Sequence, residues 1–108
     1  MNNNALYFLK ISGTIASPKQ REFQQTIQFI FNHLPIECLS HNLTLDVNIP
    51  NLYHFYSIWQ SEVALMEFKF SHEFELLNGA FRTLGAYHHT MAGKQTEAQL
   101  FDLNHLDN

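Results

Sequence analysis

Residues 52–60 read LYHFYSIWQ. Nine residues with no Gly or Pro, rich in aromatic and β-branched side chains, read as a strand. The two-residue period puts Leu52, His54, Tyr56 and Ile58 on one face and Tyr53, Phe55, Ser57 and Trp59 on the other. Large apolar groups on both faces mean that both must be covered. A chain containing this strand is expected to fold with one layer packed on each side of its sheet.

The flanking segments supply one of those layers. ALYFLKISGTI (5–15) reads as a first strand. SPKQ (17–20) is a helix start: Ser17 as cap, Pro18 at the first helical position, and Gln20 where a capping box takes Glu or Gln. Phe23, Ile27, Ile30 and Leu34 then recur at helical spacing, and Pro35 is expected to end the helix. IECLSHNLTLDVNI (36–49) is a second strand and PN (50–51) a turn. After Trp59, Ser61 is expected to cap a short helix over 62–69, and Ser71 a longer one over 72–84. Phe74, Leu77, Phe81 and Leu84 form that second helix's apolar stripe, with Gly85 as its stop. AYHHTMAG (86–93) is a fourth strand, and AQLFDLNHL in the tail is a short helix or an extra strand.

The order strand, helix, strand, strand, helix, strand is the ferredoxin-like βαββαβ arrangement, an α+β fold. It places both helices on one face of a four-stranded antiparallel sheet. The second face then needs another cover, and a second copy related by a two-fold axis is the expected one. Burying such a face at about 25 cal/mol per Å² of apolar area stabilises by on the order of 10 kcal/mol before association costs. The 108 residues are expected to form a single domain, with 1–4 and 94–108 as flanking tails.

Composition narrows the partners. Six basic residues, Lys10, Lys19, Arg21, Lys69, Arg82 and Lys94, are scattered along a chain of net charge −4. They form no stripe that could neutralise phosphates, which argues against nucleic acid. Cys38 is the one cysteine, so neither an intrachain disulfide nor a cysteine zinc site is expected. The opening MNNNALYFLKISG lacks a basic segment followed by a long apolar run, and no apolar stretch reaches membrane-spanning length. A cytoplasmic protein is expected.

The segment LYHFYSIWQSEVALMEFKFSHEFELLNGAFRTLG resembles the second half of antibiotic biosynthesis monooxygenase domains. The shared pattern is a strand ending in Trp59, the capping Ser61, the short helix opened by Glu62 to Leu65, and Ser71 to Phe74 opening a longer helix. The resemblance covers roughly residues 5–93 as a fold pattern. It implies a dimeric α+β barrel that oxidises aromatic compounds with O2 and needs no cofactor and no metal. Many members carry a His where this chain has Phe68. The haem-degrading members place a Trp there and an axial His ten residues on, where this chain has Asn78, a poor iron ligand.

Such oxidation requires an apolar, aromatic-lined cavity and a base or donor that stabilises a substrate enolate or phenolate. His54, Tyr56 and Trp59 are the candidate catalytic group. His54 and Tyr56 stand about 7 Å apart along one strand face, within reach of one small ligand. The alternative for the pair is a hydrogen-bonded or dimer-facing structural role, and for Trp59 a plug between strand and helix. Phe68, His72, Phe81 and His89 are candidate substrate-binding residues. His72, at a helix N-terminus, is either a neutral donor or an exposed side chain. Phe68, Phe74, Leu77 and Phe81 either pack on the sheet or wall a cavity. His88 and His89 are adjacent and point to opposite faces, and the histidine spacings anchor no metal. Cys38 and His41 are expected on opposite faces and so make no thiol nucleophile.

Two functions follow. One is a cofactor-independent monooxygenase acting on a small aromatic or quinol-type compound. The other is a non-catalytic small-molecule binding or regulatory protein on the same dimeric fold. A closed apolar cavity between helices and sheet, with His54 or Tyr56 pointing into it, supports the first; if Phe68, Phe74 and Phe81 fill that space, the first largely fails.

Overall fold

A computed structural model describes residues 5–95 (backbone only at 86 and 87). The elements run β1 (Tyr7–Ile15), α1 (Gln20–Phe31), β2 (Cys38–Leu45), β3 (Leu52–Trp59), α2 (Glu62–Lys69), α3 (His72–Leu84) and β4 (Gly85–Lys94). The four strands form one sheet in the order β2-β3-β1-β4, antiparallel at each of its pairings. This is the ferredoxin-like α+β topology that the element order implies.

Local chemistry explains most boundaries. Ser61 Oγ accepts the Ala64 N–H at 3.1 Å, and Ser71 Oγ accepts the Phe74 N–H at 3.1 Å. Both serines therefore cap as their positions predict. Ser71 also donates to the Phe68 carbonyl at 2.6 Å, tying the end of α2 to the start of α3.

Several boundaries depart from the sequence reading. Ser17 does not cap α1; Ser17–Lys19 form a separate 3-10 turn without a side-chain cap. Gln20 instead donates to Asn51 Oδ1 at 2.7 Å and accepts from the Tyr53 hydroxyl at 2.9 Å, fastening the helix start to the turn before β3. Asn51 holds that turn with φ of 64°, a left-handed conformation that Asn tolerates. The helix ends at Phe31, before Leu34. Strand β2 is shorter than 36–49, because Asp46 Oδ2 accepts the N–H groups of Asn48 and Ile49 and draws the backbone out of the ladder.

Gly85 is another. It ends α3 in an extended conformation (φ −125°, ψ 171°), so no left-handed stop is used. A Cβ here would lie 2.3 Å from the Thr14 carbonyl oxygen and 2.8 Å from that of Phe81. Only glycine lets β4 begin directly at the helix end and pair with β1. Lys94 belongs to β4, paired with Tyr7, and does not start a tail. The AQLFDLNHL segment lies outside the described residues.

The core lies between the helices and one face of the sheet. Leu9, Ile11 and Ile15 of β1, Phe55 and Trp59 of β3, Phe23, Ile27 and Ile30 of α1, and Leu77 and Phe81 of α3 have at most 1% of their surface exposed. The spacings in each segment match the two-residue and 3.6-residue periods. The other face carries Phe8, Lys10 and Ser12 of β1 beside His54, Tyr56 and Ile58 of β3, all partly exposed.

Candidate functional site

The sheet divides the expected catalytic group. Trp59 points to the helices and is fully buried, whereas His54 and Tyr56 point to the open face. The separation follows from their odd and even positions along one strand.

On the helix side the space under α2 and α3 is filled. The Trp59 ring packs on Phe68 at 4.8 Å between centroids, and Phe68 meets Phe74 edge-on at 5.7 Å. Phe81 is fully buried and meets Phe23 edge-on at 4.9 Å. The indole N–H of Trp59 donates to Ser57 Oγ at 2.9 Å, and Ser57 donates onward to the Leu9 carbonyl at 3.4 Å. Ser57 is itself fully buried. Its hydroxyl satisfies an indole N–H that would otherwise be costly in this interior. That N–H is already occupied and faces no cavity.

The open face holds a connected polar group. Ser12 Oγ lies 2.7 Å from His54 Nδ1, and His54 Nε2 lies 3.0 Å from Asp46 Oδ1. The His54 and Asp46 side chains are 23% and 24% exposed. The carboxylate only accepts, so Nε2 is assigned the proton and Nδ1 accepts from the Ser12 hydroxyl. Ser12 is brought here by the β1–β3 register, which pairs it directly with His54. Asp46 arrives through the β2–β3 turn. The hydrogen bond from His54, then the Ile49 and Asn48 N–H groups, lower the Asp46 carboxyl from 3.8 to about 2. Asp46 is therefore ionised at neutral pH and holds the ring in one tautomer.

Aromatic surface adjoins this chain. The rings of Phe8 and Tyr56 stack at 6.0 Å with 23° between their planes. Phe8 lies over Gly93, where a Cβ would stand 2.7 Å from the ring. Lys10 pairs with Tyr56, and His89 of β4 pairs with Ser12 on the side away from His54. Lys10, Tyr56 and His89 thus share the open face with the Ser12–His54–Asp46 group.

The remaining candidates lie elsewhere. His72 is 74% exposed at the start of α3, with Nδ1 3.9 Å from Glu75. His88 lies on the helix side, its ring 6.4 Å from Phe81. The register shift between Cys38 and Ser40 puts Cys38 and His41 on the same face, not on opposite ones. His41 packs on Phe31, and burial raises the Cys38 thiol pKa, which opposes thiolate chemistry. Among the described residues, no three His, Cys, Asp or Glu side chains gather to hold a metal ion. An open groove of about 410 Å³ between α1 and β2 is lined by Gln24, Ile27, Gln28, Phe31, Leu43, Thr44, Leu45 and Tyr53, with no histidine or carboxylate among them.

Ser12 and Asp46 are the members that the sequence reading misses. Ser12 is 42 residues from His54 and becomes its neighbour only through strand register. Asp46 had a signal: it stands eight residues before His54, at the mouth of the β2–β3 turn.

Comparison with known proteins places the fold. No family model and no curated protein matches the sequence. Among solved structures, a conserved protein from Methanosarcina mazei Go1 superposes with a TM-score of 0.76 at 10% identity, over 86% of this chain and 95% of its own. Two proteins each named a putative antibiotic biosynthesis monooxygenase are also similar. The one from Caulobacter crescentus CB15 has a TM-score of 0.72 at 15% identity, covering 87% and 92% of the two chains. The one from Nitrosomonas europaea has a TM-score of 0.74 at 8% identity, covering 90% and 96%. At these identities the similarity is one of fold. This chain has the ferredoxin-like α+β fold seen in structures named as antibiotic biosynthesis monooxygenases.

Proposed function

We propose that the protein is a cofactor-independent monooxygenase that binds a small aromatic or quinol-type compound at the open sheet face, not between helices and sheet. The space between helices and sheet is filled by Phe68, Phe74 and Phe81, which counts against an oxygenase site there. The observation that carries this reading is His54, held between Ser12 and Asp46 beside the Phe8–Tyr56 stack. A flat ring lies against Phe8 and Tyr56. Its hydroxyl gives a proton to Ser12 Oγ as the Ser12 proton passes to His54 Nδ1. Asp46 stabilises the imidazolium so formed. The substrate anion then reacts with O2. When a ring CH2 becomes C=O, one oxygen atom stays in the product and the other leaves as water. The substrate supplies all the electrons.

In this reading two copies close their sheets into an eight-stranded barrel. A barrel of that size has an interior that side chains fill or that holds one small ligand. The Ser12–His54–Asp46 group then faces the interior and is shielded from bulk water. A cytoplasmic location fits the single cysteine, Cys38.

The test is oxygen consumption on a panel of anthrones, quinols and flavonoid-like compounds. His54→Ala is expected to lower substrate-dependent uptake by about 100-fold or more. Trp59→Phe, altered on the other side of the sheet, is expected to retain it. No uptake by the unaltered protein removes the enzyme reading for that panel.

The packed Trp59–Phe68 interior supports a second reading, a non-catalytic small-molecule binding or regulatory protein. Saturable binding of the same compounds without oxygen uptake is its signature. Sedimentation velocity tests the dimer, and a haem titration without a Soret shift disposes of haem degradation.

A further inference from the structure

We propose that Ser12 is also a nucleophile for acyl transfer, through which the protein hydrolyses small carboxylic esters. The proposal rests on the same Ser12–His54–Asp46 contacts as the oxygenase reading, but on neither O2, an aromatic substrate, nor the dimer. The proton inventory is the one nucleophilic serine needs: hydroxyl to imidazole nitrogen, imidazole N–H to ionised carboxylate, at 2.7 and 3.0 Å. The ring is turned so that Nδ1 meets the hydroxyl and Nε2 the carboxylate; exchanging the nitrogens leaves those roles unchanged.

The placement adds to the chemistry. Ser12 and His54 sit opposite each other on the two central strands, a rigid position. Asp46 is fixed from the turn side by the N–H groups of Asn48 and Ile49. One pair along the same face, roughly 7 Å away by strand spacing, are Lys10 and Tyr56. The Lys10 ammonium and the Tyr56 hydroxyl are the donors that would meet a developing oxyanion. The Phe8 and Tyr56 rings supply apolar contact for an acyl chain or an aromatic leaving group.

The balanced sequence has two halves. Ser12 Oγ attacks the ester carbonyl carbon while its proton moves to His54 Nδ1. The C–O bond to the alcohol breaks, and the alcohol leaves with that proton. Water then attacks the acyl-serine, again losing a proton to His54, and the acid departs as Ser12 regains its hydrogen. No oxidant or reductant takes part.

The experiment uses the full chain with p-nitrophenyl butyrate and a fluorophosphonate probe, the adduct located by peptide mass spectrometry. One adduct per chain on Ser12 is expected, and none on Ser12→Ala. Hydrolysis is expected to fall about 100-fold or more in Ser12→Ala and in His54→Ala. Asp46 is a positioning residue. Asp46→Asn keeps an oxygen for the turn but loses the charge, so it is expected to lower kcat more than it raises KM and to shift the pH profile of kcat/KM. Ser12→Cys, close to serine in shape, serves if the alanine variant misfolds, and iodoacetamide should then modify Cys at position 12 faster than Cys38. No adduct on Ser12, an unreactive thiol at that position, or hydrolysis undiminished in Ser12→Ala overturns the proposal. Oxygen uptake without ester hydrolysis defeats it alone; ester hydrolysis without oxygen uptake defeats the oxygenase reading alone.

Discussion

On the helix side of the sheet, the inward side chains of β3 have their partners within the chain. Phe55 and Trp59 are fully buried, Tyr53 nearly so, and the one polar member, Ser57, is tied to Trp59 and to the β1 backbone. On the open side the same strand presents His54, Tyr56 and Ile58, each partly exposed. Three polar groups there, Ser12, His54 and Asp46, are linked in a line, with the Ser12 hydroxyl at one end. The two faces come from the same eight residues. Their difference teaches that aromatic content does not locate a site. The face with more buried aromatic surface is the packed one, because its rings occupy the space that a ligand would need.

Four measurements can break or sharpen this contrast. The largest effect is expected from Trp59→Ala, which removes the ring packed on Phe68 and should cost about 3–5 kcal/mol in urea unfolding. A cost below about 1 kcal/mol would mean that the helix side is loosely filled, and the contrast would fail. Next is Ser57→Ala, which strands the buried indole N–H and should cost about 1–3 kcal/mol. Adding Trp59→Phe, which has no N–H to satisfy, should add less than its cost in the unaltered protein; full additivity would show that the Ser57 bond carries no weight.

Asp46→Asn probes the open face. The folded protein holds this carboxyl down at about 2 from 3.8, so its ionised form is favoured by folding. The contribution is fully present above the unfolded value and is lost as pH falls through the folded one. Melting temperatures of the two proteins should therefore differ near neutral pH and converge between about pH 4 and pH 2. A gap at pH 2 as wide as at neutral pH would assign the effect to something other than this charge. The smallest change is expected from Phe70→Ser, at a side chain 86% exposed, which should stay within about 0.5 kcal/mol in either direction.

Elements whose signals are local were legible from the chain. Helices α2 and α3 start after Ser61 and Ser71 because a serine oxygen next to an apolar-periodic run is a self-contained cap. The facing of β3 followed from alternation alone. Boundaries decided by distant partners were not legible. Gln20 looks like half of a capping box but bonds to Asn51 and Tyr53, thirty-one and thirty-three residues away. Gly85 looks like a helix stop, yet glycine is required there because a Cβ would lie 2.3 Å from the Thr14 carbonyl oxygen. Of the candidate site, His54 and Tyr56 were named for their chemistry, whereas grouping Trp59 with them overlooked the strand's own two faces.

The sequence by itself determined the order of elements, the two faces of β3, and hence the ferredoxin-like topology. These depend on periodicity and capping, which act over a few residues. Only the tertiary structure decided that Ser12, His54 and Asp46 form one hydrogen-bonded line, and that Trp59 spends its N–H on Ser57. The first depends on register. Sliding β1 against β3 by two residues would keep every side chain on its face and would still part Ser12 from His54. Register is set by the whole core closing at once, not by any segment read alone.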